Sequence, residues 1–237
     1  MHEQKSSSTL KRMARGQLAG RYAIPMGAVV ILSLISAMAT LILNRIFSGY
    51  TLSSLILNYI AAFILALLLS VLDAGLSYLI LHLVRGQEVR LSDLLYGFSN
   101  QPDRIILAVL VTQLLSLACM IPAILLLTLG FILEILSFQI LGVLALLGGI
   151  VAMVWLLLAY SMIRYVYLDH PEKGVMEILR TSRKLMIGNK GRYLYLQVSF
   201  IGLLLLSVLS CGIGLLWVSP YIETTTALFY LNLTGEV

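Results

Sequence analysis

The chain has 237 residues, of which 60% are hydrophobic and 11% charged, and its mean hydropathy is +0.99. A water-soluble domain carries about 45–50% apolar and about 25% charged residues, so composition excludes a soluble fold and marks an integral membrane protein. The net charge of +5 sits in short segments between apolar runs, which speaks for a membrane surface and against nucleic acid.

A membrane-crossing helix needs roughly 20 apolar residues, and six runs of that order follow one another along the chain. They cover about Tyr22–Leu43, Leu52–Val84, Ile105–Leu129, Ile140–Leu168, Tyr193–Leu209 and Gly212–Leu233. The second and fourth exceed the hydrocarbon thickness and predict tilt or extension beyond the bilayer. Ahead of the first run, a basic start and "AMA" at Ala37–Ala39 have the outline of a cleavable signal peptide. The run continues past that point through "TLIL" and the basic region is long, so the segment is expected to remain as a span.

Of the 16 Lys and Arg residues, all but Arg45 fall before the first run, between the second and third, or around the fourth-to-fifth connection. The positive-inside rule then places both termini and the two long loops in the cytoplasm.

The basic segments share a pattern. "TLKRMARGQLAGRY" (Thr9–Tyr22) sets Leu10, Met13, Ala14 and Leu18 on one helical face, away from Lys11, Arg12 and Arg15. "RLSDLLYGFSNQPDR" (Arg90–Arg104) offers Ser92 as an N-cap and Leu91, Leu94, Leu95 and Phe98 at helical spacing. In "GVMEILRTSRKLMIGNKGRY" (Gly174–Tyr193), Val175, Ile178, Leu179, Ser182, Leu185 and Met186 oppose Arg180, Arg183 and Lys184. Each leads into a span, and the even-numbered spans close alike, on "YLIL" (Tyr78–Leu81), "YVYL" (Tyr165–Leu168) and "YLNL" (Tyr230–Leu233). Tyrosine suits the interface, apolar in the ring and wet at the hydroxyl.

The pattern reads as one all-α transmembrane domain over residues 1–237. Its three parallel units, about 9–84, 90–168 and 174–233, are each an interfacial amphipathic helix followed by a two-span hairpin. Those helices would lie in the headgroups, apolar face down. Lys11, Arg12, Arg15, Arg180, Arg183, Lys184, Lys190 and Arg192 would face anionic lipid.

Helices in lipid associate through small residues that allow close approach. The second span presents Ala62, Ala66, Ser70, Ala74 and Ser77, and the fourth Gly142, Ala145, Gly149 and Ala152. In the sixth, Ser219, Glu223, Thr226, Ala227 and Tyr230 share a face, so Glu223 points into the bundle. Asp73, in the second span, is the other intramembrane acid. Counted from the closing tyrosines at 1.5 Å per residue, the two lie at similar depths, roughly 7–11 Å from the tyrosine level.

A charged Asp at mid-bilayer costs about 2.5–3.5 kcal/mol. Three states are compatible with that cost. Arg164 could pair with an acid; Ser and Thr hydroxyls could hydrogen-bond neutral acids; or water could enter. The polar cluster is therefore expected to contain Asp73, Glu223, Arg164, Ser70, Ser77, Tyr221 and Thr226. Pro220 is expected to kink the sixth helix, with Thr224 or Tyr221 serving the freed carbonyls.

No catalytic motif stands out. HExxH, GxSxG and a Walker loop are missing, and "LDAG" at Leu72–Gly75 is a weak echo of an aspartyl protease, with Glu223 the wrong partner. "GNKGR" (Gly188–Arg192) reads as a turn or a phosphate cradle. Cys119 and Cys211 read as buried thiols, and with only three His they compose no metal site. Neither cofactor nor enzyme activity is expected.

The stretch Ser182–Leu233, with "GNKGR", "VSFIG" (Val198–Gly202), "GIGLLWVSPY" (Gly212–Tyr221) and "FY" (Phe229–Tyr230), resembles the bacterial integral membrane family catalogued as domain of unknown function 975, mostly from Gram-positive bacteria. "LSDLLYGF" (Leu91–Phe98) resembles the family's central loop. Leu203 stands where members often carry tryptophan, and Leu231 and Asn232 where they carry acids. The resemblance implies a six-helix protein of the bacterial cytoplasmic membrane and carries over no catalytic residues. The leading expectation is a non-enzymatic membrane protein engaging anionic lipid or a membrane partner through its basic helices. The alternative is a small transporter or channel using Asp73 and Glu223.

Overall fold

The structure, a computed structural model, describes residues 5–49 and 51–237. All regular structure among them is helical. Helix α1 (Ser7–Leu18) starts where the Ser6 hydroxyl accepts the Thr9 N–H at 3.3 Å, and the chain turns at Gly20, whose φ of 74° suits a residue without Cβ. The apolar runs then fold as α2 (Ala23–Ile46) and α3 (Leu52–Val84). A 3-10 turn (Leu91–Leu95) and α4 (Tyr96–Ser99) precede α5 (Pro102–Ile132). After α6 (Leu136–Ala159) and α7 (Ile163–Asp169) come α8 (Val175–Leu185), α9 (Lys190–Val198), α10 (Ile201–Leu209) and α11 (Leu215–Thr234).

Five helical stretches are long and apolar enough to cross a membrane: Ala23–Ile46, Leu52–Val84, Pro102–Ile132, Leu136–Asp169 and Lys190–Leu209. The fourth and fifth each contain a break, at residues 160–162 and 199–200. The sixth run does form a helix, and at 20 residues α11 is about 30 Å long. Glu223, three consecutive threonines and Asn232 leave it more polar than the other five. From Thr224 to Asn232 it is buried throughout, so this polarity meets protein instead of lipid, where it is cheaper to keep.

Burial is concentrated at one end of the molecule. The last third of α3, α7, one face of α8, the second half of α11 and the Leu10, Ala14 and Leu18 face of α1 form the core. This is also the end that carries all the basic residues except Arg45, and it is called the basic end below. Away from it the helices present side chains such as Leu41, Leu125, Val151 and Leu209 to their surroundings, as a hydrocarbon-facing surface should.

At 33 residues α3 is about 50 Å long, well beyond a hydrocarbon core of about 30 Å. Its surplus is used at the basic end, where the chain folds back on it. A Cβ on Gly75 would lie 1.9 Å from the Leu94 carbonyl oxygen, and one on Gly97 would lie 2.5 Å from that of Val71. Tyr96 stacks on Tyr78 with centroids 3.7 Å apart. This close docking overturns the expectation of an amphipathic helix over Arg90–Arg104. Two glycine contacts hold the segment as a short turn, with Leu94 buried and Leu91, Leu95 and Phe98 exposed. The Asp93 carboxylate, not Ser92, caps it, accepting the Arg90 N–H at 2.8 Å.

The small-residue stripes act over part of their length. Ser70, Ala74 and Ser77 are buried, whereas Ala62 and Ala66 are exposed. On α6, Gly142 and Gly149 pack tightly on α5, a Cβ on Gly149 reaching 2.7 Å from the Cys119 carbonyl, while Ala152 is exposed. The α5–α6 hairpin is thus closely paired, and α3 stands apart from α6.

Candidate functional site

Asp73, Glu223 and Arg164 come from three different helices, α3, α11 and α7. The Arg164 guanidinium at the start of α7 lies 3.7 Å from a Glu223 carboxylate oxygen on α11. That is an ion pair beyond hydrogen-bonding distance. Asp73 of α3 falls under the electrostatic influence of both. Of the three states open at the sequence level, pairing with Arg164 is the one found for Glu223.

Asp73 and Arg164 also line a cavity of about 880 Å³ bounded by α3, α5, the α6–α7 junction and α9. This volume lies in the range of small-molecule sites, about 300–1,000 Å³. Phe63, Met120, Met153 and Leu157 are among its apolar walls; Thr112, Gln113, Ser116, Tyr160 and Tyr193 join the charged pair as polar lining. Gln113 Oε1 is buried with no hydrogen-bond donor. Asp73 does not accept a hydrogen bond on its carboxylate from any described residue, and no described cation lies within 4.0 Å of it.

Hydroxyl groups expected to serve the acids do not do so. Thr224, Thr225 and Thr226 donate to the carbonyls of Pro220, Tyr221 and Ile222, at 2.7, 2.7 and 2.9 Å. Ser70 donates to the Leu67 carbonyl, and Ser77 to the backbone carbonyl of Asp73. Inside a helix the carbonyl one turn earlier is always within reach, so a local bond outcompetes a distant carboxylate. Tyr221 lies apart from the cluster: its hydroxyl reaches the Lys11 carbonyl at 3.4 Å and its ring meets Phe200 edge-on. Neither it nor Thr224 serves the carbonyl that Pro220 leaves without a donor.

Two of the three closing tyrosines are not wet interfacial residues, whereas Tyr78 is half-buried. Tyr165 and Tyr230 stack at 5.2 Å and are 0% and 1% exposed. They stack between the Arg164–Glu223 pair and a second ionic group at the basic end. There Arg85, just past α3, makes paired hydrogen bonds to Asp169 at 2.8 and 3.0 Å and to Glu236 at 3.0 and 2.8 Å. The Tyr230 hydroxyl donates to Asp169 at 2.8 Å. The bond to Asp169, more than the one to Glu236, holds the Arg85 guanidinium above its ordinary pKa against the effect of burial. It therefore stays charged at any pH at which the protein is handled.

The predicted headgroup-contacting cations divide into two sets. Lys11 donates to the Ser199 carbonyl at 3.0 Å and lies over the Phe200 ring; burial, with a smaller contribution from Arg15, lowers its pKa. Lys190 lies over Trp155. Arg192 bonds Asn189, Asn232 and the Lys5 carbonyl. These three tie helices together. Arg12, Arg15, Arg180, Arg183 and Lys184 are exposed and make no ion pair among the described residues. "GNKGR" is a turn into α9, with Gly188 at φ 76° and the Asn189 side chain donating to the Leu185 carbonyl. Cys119 and Cys211 are free thiols, and Cys211 is exposed, not buried.

Comparison with curated proteins and with solved structures returns no match. The family model described as "Protein of unknown function (DUF975)" matches residues 1–236, so an all-helical chain with several membrane-compatible spans and an Arg164–Glu223 ion pair belongs to the DUF975 family.

Proposed function

We propose that this protein is a non-enzymatic carrier of the bacterial cytoplasmic membrane that holds a small amphiphilic solute in the cavity at Asp73 and Arg164. The observation that carries this reading is the cavity itself, apolar along its walls and ending on two charged side chains. In a membrane, ionisable groups facing an internal cavity mark a solute or ion pathway by default.

In this reading α11 is a sixth span, packed against α1, α2, α3 and α10, and both termini are cytoplasmic. The recurring order of a short helical segment and two long ones supports three parallel hairpin units. A second reading, engagement of anionic lipid or a membrane partner, is favoured by the five exposed cations. The apolar faces of α1 and α8 are buried against protein, so such engagement is electrostatic, about 1 kcal/mol per Lys or Arg near an anionic surface, without insertion.

The carrier reading is tested by thiol reactivity in a chain whose Cys119 and Cys211 are replaced by Ser. Ser116→Cys and Ser161→Cys, both on the cavity wall, should react with a water-soluble methanethiosulfonate at least about tenfold faster than Ser77→Cys, whose site is 0% exposed. Equal, slow reaction at all three positions would show the cavity to be closed to solutes and would end this reading.

A further inference from the structure

The charge count around the cavity specifies what it holds. Arg164 is matched by Glu223, which lies behind it and does not line the cavity. Asp73 lines the cavity and is the unmatched charge. Its carboxylate and Gln113 Oε1, a buried acceptor without a donor, are two acceptors on the same cavity wall set. The aromatic side chains of Phe63, Tyr160 and Tyr193 complete the surroundings.

Acceptors without donors, one surplus negative charge and several aromatic faces form the recognition set for an organic ammonium ion. Hydrogen bonds to charged partners are stronger than neutral ones, and a cation over an aromatic face adds to them. An anion would meet Asp73 as a like charge, and the one guanidinium on the wall, Arg164, already has Glu223 at 3.7 Å. Resting on the carrier reading above, the geometry points to a protonated amine with an apolar body as the ligand class, its ammonium on Asp73 and Gln113 and its hydrocarbon along Met120, Met153 and Leu157.

Three probes with one hydrocarbon body separate the alternatives: phenylbutylammonium, phenylbutyrate and phenylbutanol. Each is titrated calorimetrically into the full-length protein in lipid nanodiscs, with the heat from protein-free nanodiscs subtracted. The ammonium should bind saturably, one per chain, about tenfold or more tighter than the alcohol. Asp73→Asn should bring it down to the level of the alcohol while the variant still elutes as folded protein. Tighter binding of phenylbutyrate, lost in Arg164→Gln, would overturn the ligand class and leave the cavity reading standing. Equal binding of all three probes, unchanged in Asp73→Asn, would do the same. Saturable binding of none would bring down both readings.

Discussion

Replacing Arg164 with methionine should lower the thermal midpoint of the purified protein by about 5–10 °C. The change keeps much of the side-chain volume but strands Glu223 inside the bundle without its partner. Breaking a fully buried pair costs about 3–5 kcal/mol. Arg164 and Glu223 are 30% and 24% exposed, which discounts the loss to roughly 2–3 kcal/mol. For a chain of this size each kcal/mol shifts the midpoint by about 2–4 °C. Adding Glu223→Gln to Arg164→Met removes the stranded charge and should recover at least about half the loss. A double-mutant cycle measures that coupling. Additive losses would show that Glu223 and Arg164 do not interact, and a midpoint unchanged in Arg164→Met would show that the guanidinium contributes nothing to the bundle.

Arg85→Met should produce the second largest loss, about 2 kcal/mol or roughly 4–8 °C. Arg85 joins the basic-end tips of α3 and α7 and the residue two beyond α11, and its two carboxylate partners are both engaged through paired N–H bonds. Such charge-assisted bonds are about twice as strong as neutral ones. Exposures of 26% for Arg85, 16% for Asp169 and 42% for Glu236 make the Asp169 bond the larger share and the Glu236 bond the more salt-sensitive. Arg85→Lys should restore less than half of the loss, because an ammonium cannot present two parallel donors to two carboxylates. Full restoration by lysine would mean that charge alone matters there and that the fork geometry does not.

Five of the six expected spans were legible in the sequence as long apolar helices. Leu52–Val84 is helical over the residues that hydropathy delimits, because an unbroken apolar run has one stable answer in a bilayer. The meeting of Glu223 and Arg164 was also within reach. An acid on the polar face of the sixth run has a cation within reach at the end of the fourth, Arg164, and that pairing was one of the states open to it. Thr112, Gln113 and Ser116 went unnoticed, although polar residues one and four positions apart in an otherwise apolar third span were a usable signal. The Arg85, Asp169 and Glu236 group was not legible, since its members are 84 and 151 residues apart from Arg85 and no local pattern links them. The threonines and the Arg90–Arg104 segment misled for a common reason. Spacing reports what a segment can do alone, while the α11 backbone and the glycine contacts on α3 decide what it does in place.

In the proposed role, Asp73 is kept for the cavity and not for holding the bundle together. That role has a measurable sign. A carboxylate left unmatched at membrane depth costs stability, so a functional Asp73 should make the wild-type protein less stable than its neutral isostere. The thermal midpoint of Asp73→Asn, measured without ligand, should rise by about 2–4 °C, equivalent to roughly 1 kcal/mol. A midpoint lowered by a similar amount would contradict the account, because it would make Asp73 a structural partner of Arg164 and leave the cavity without its surplus charge.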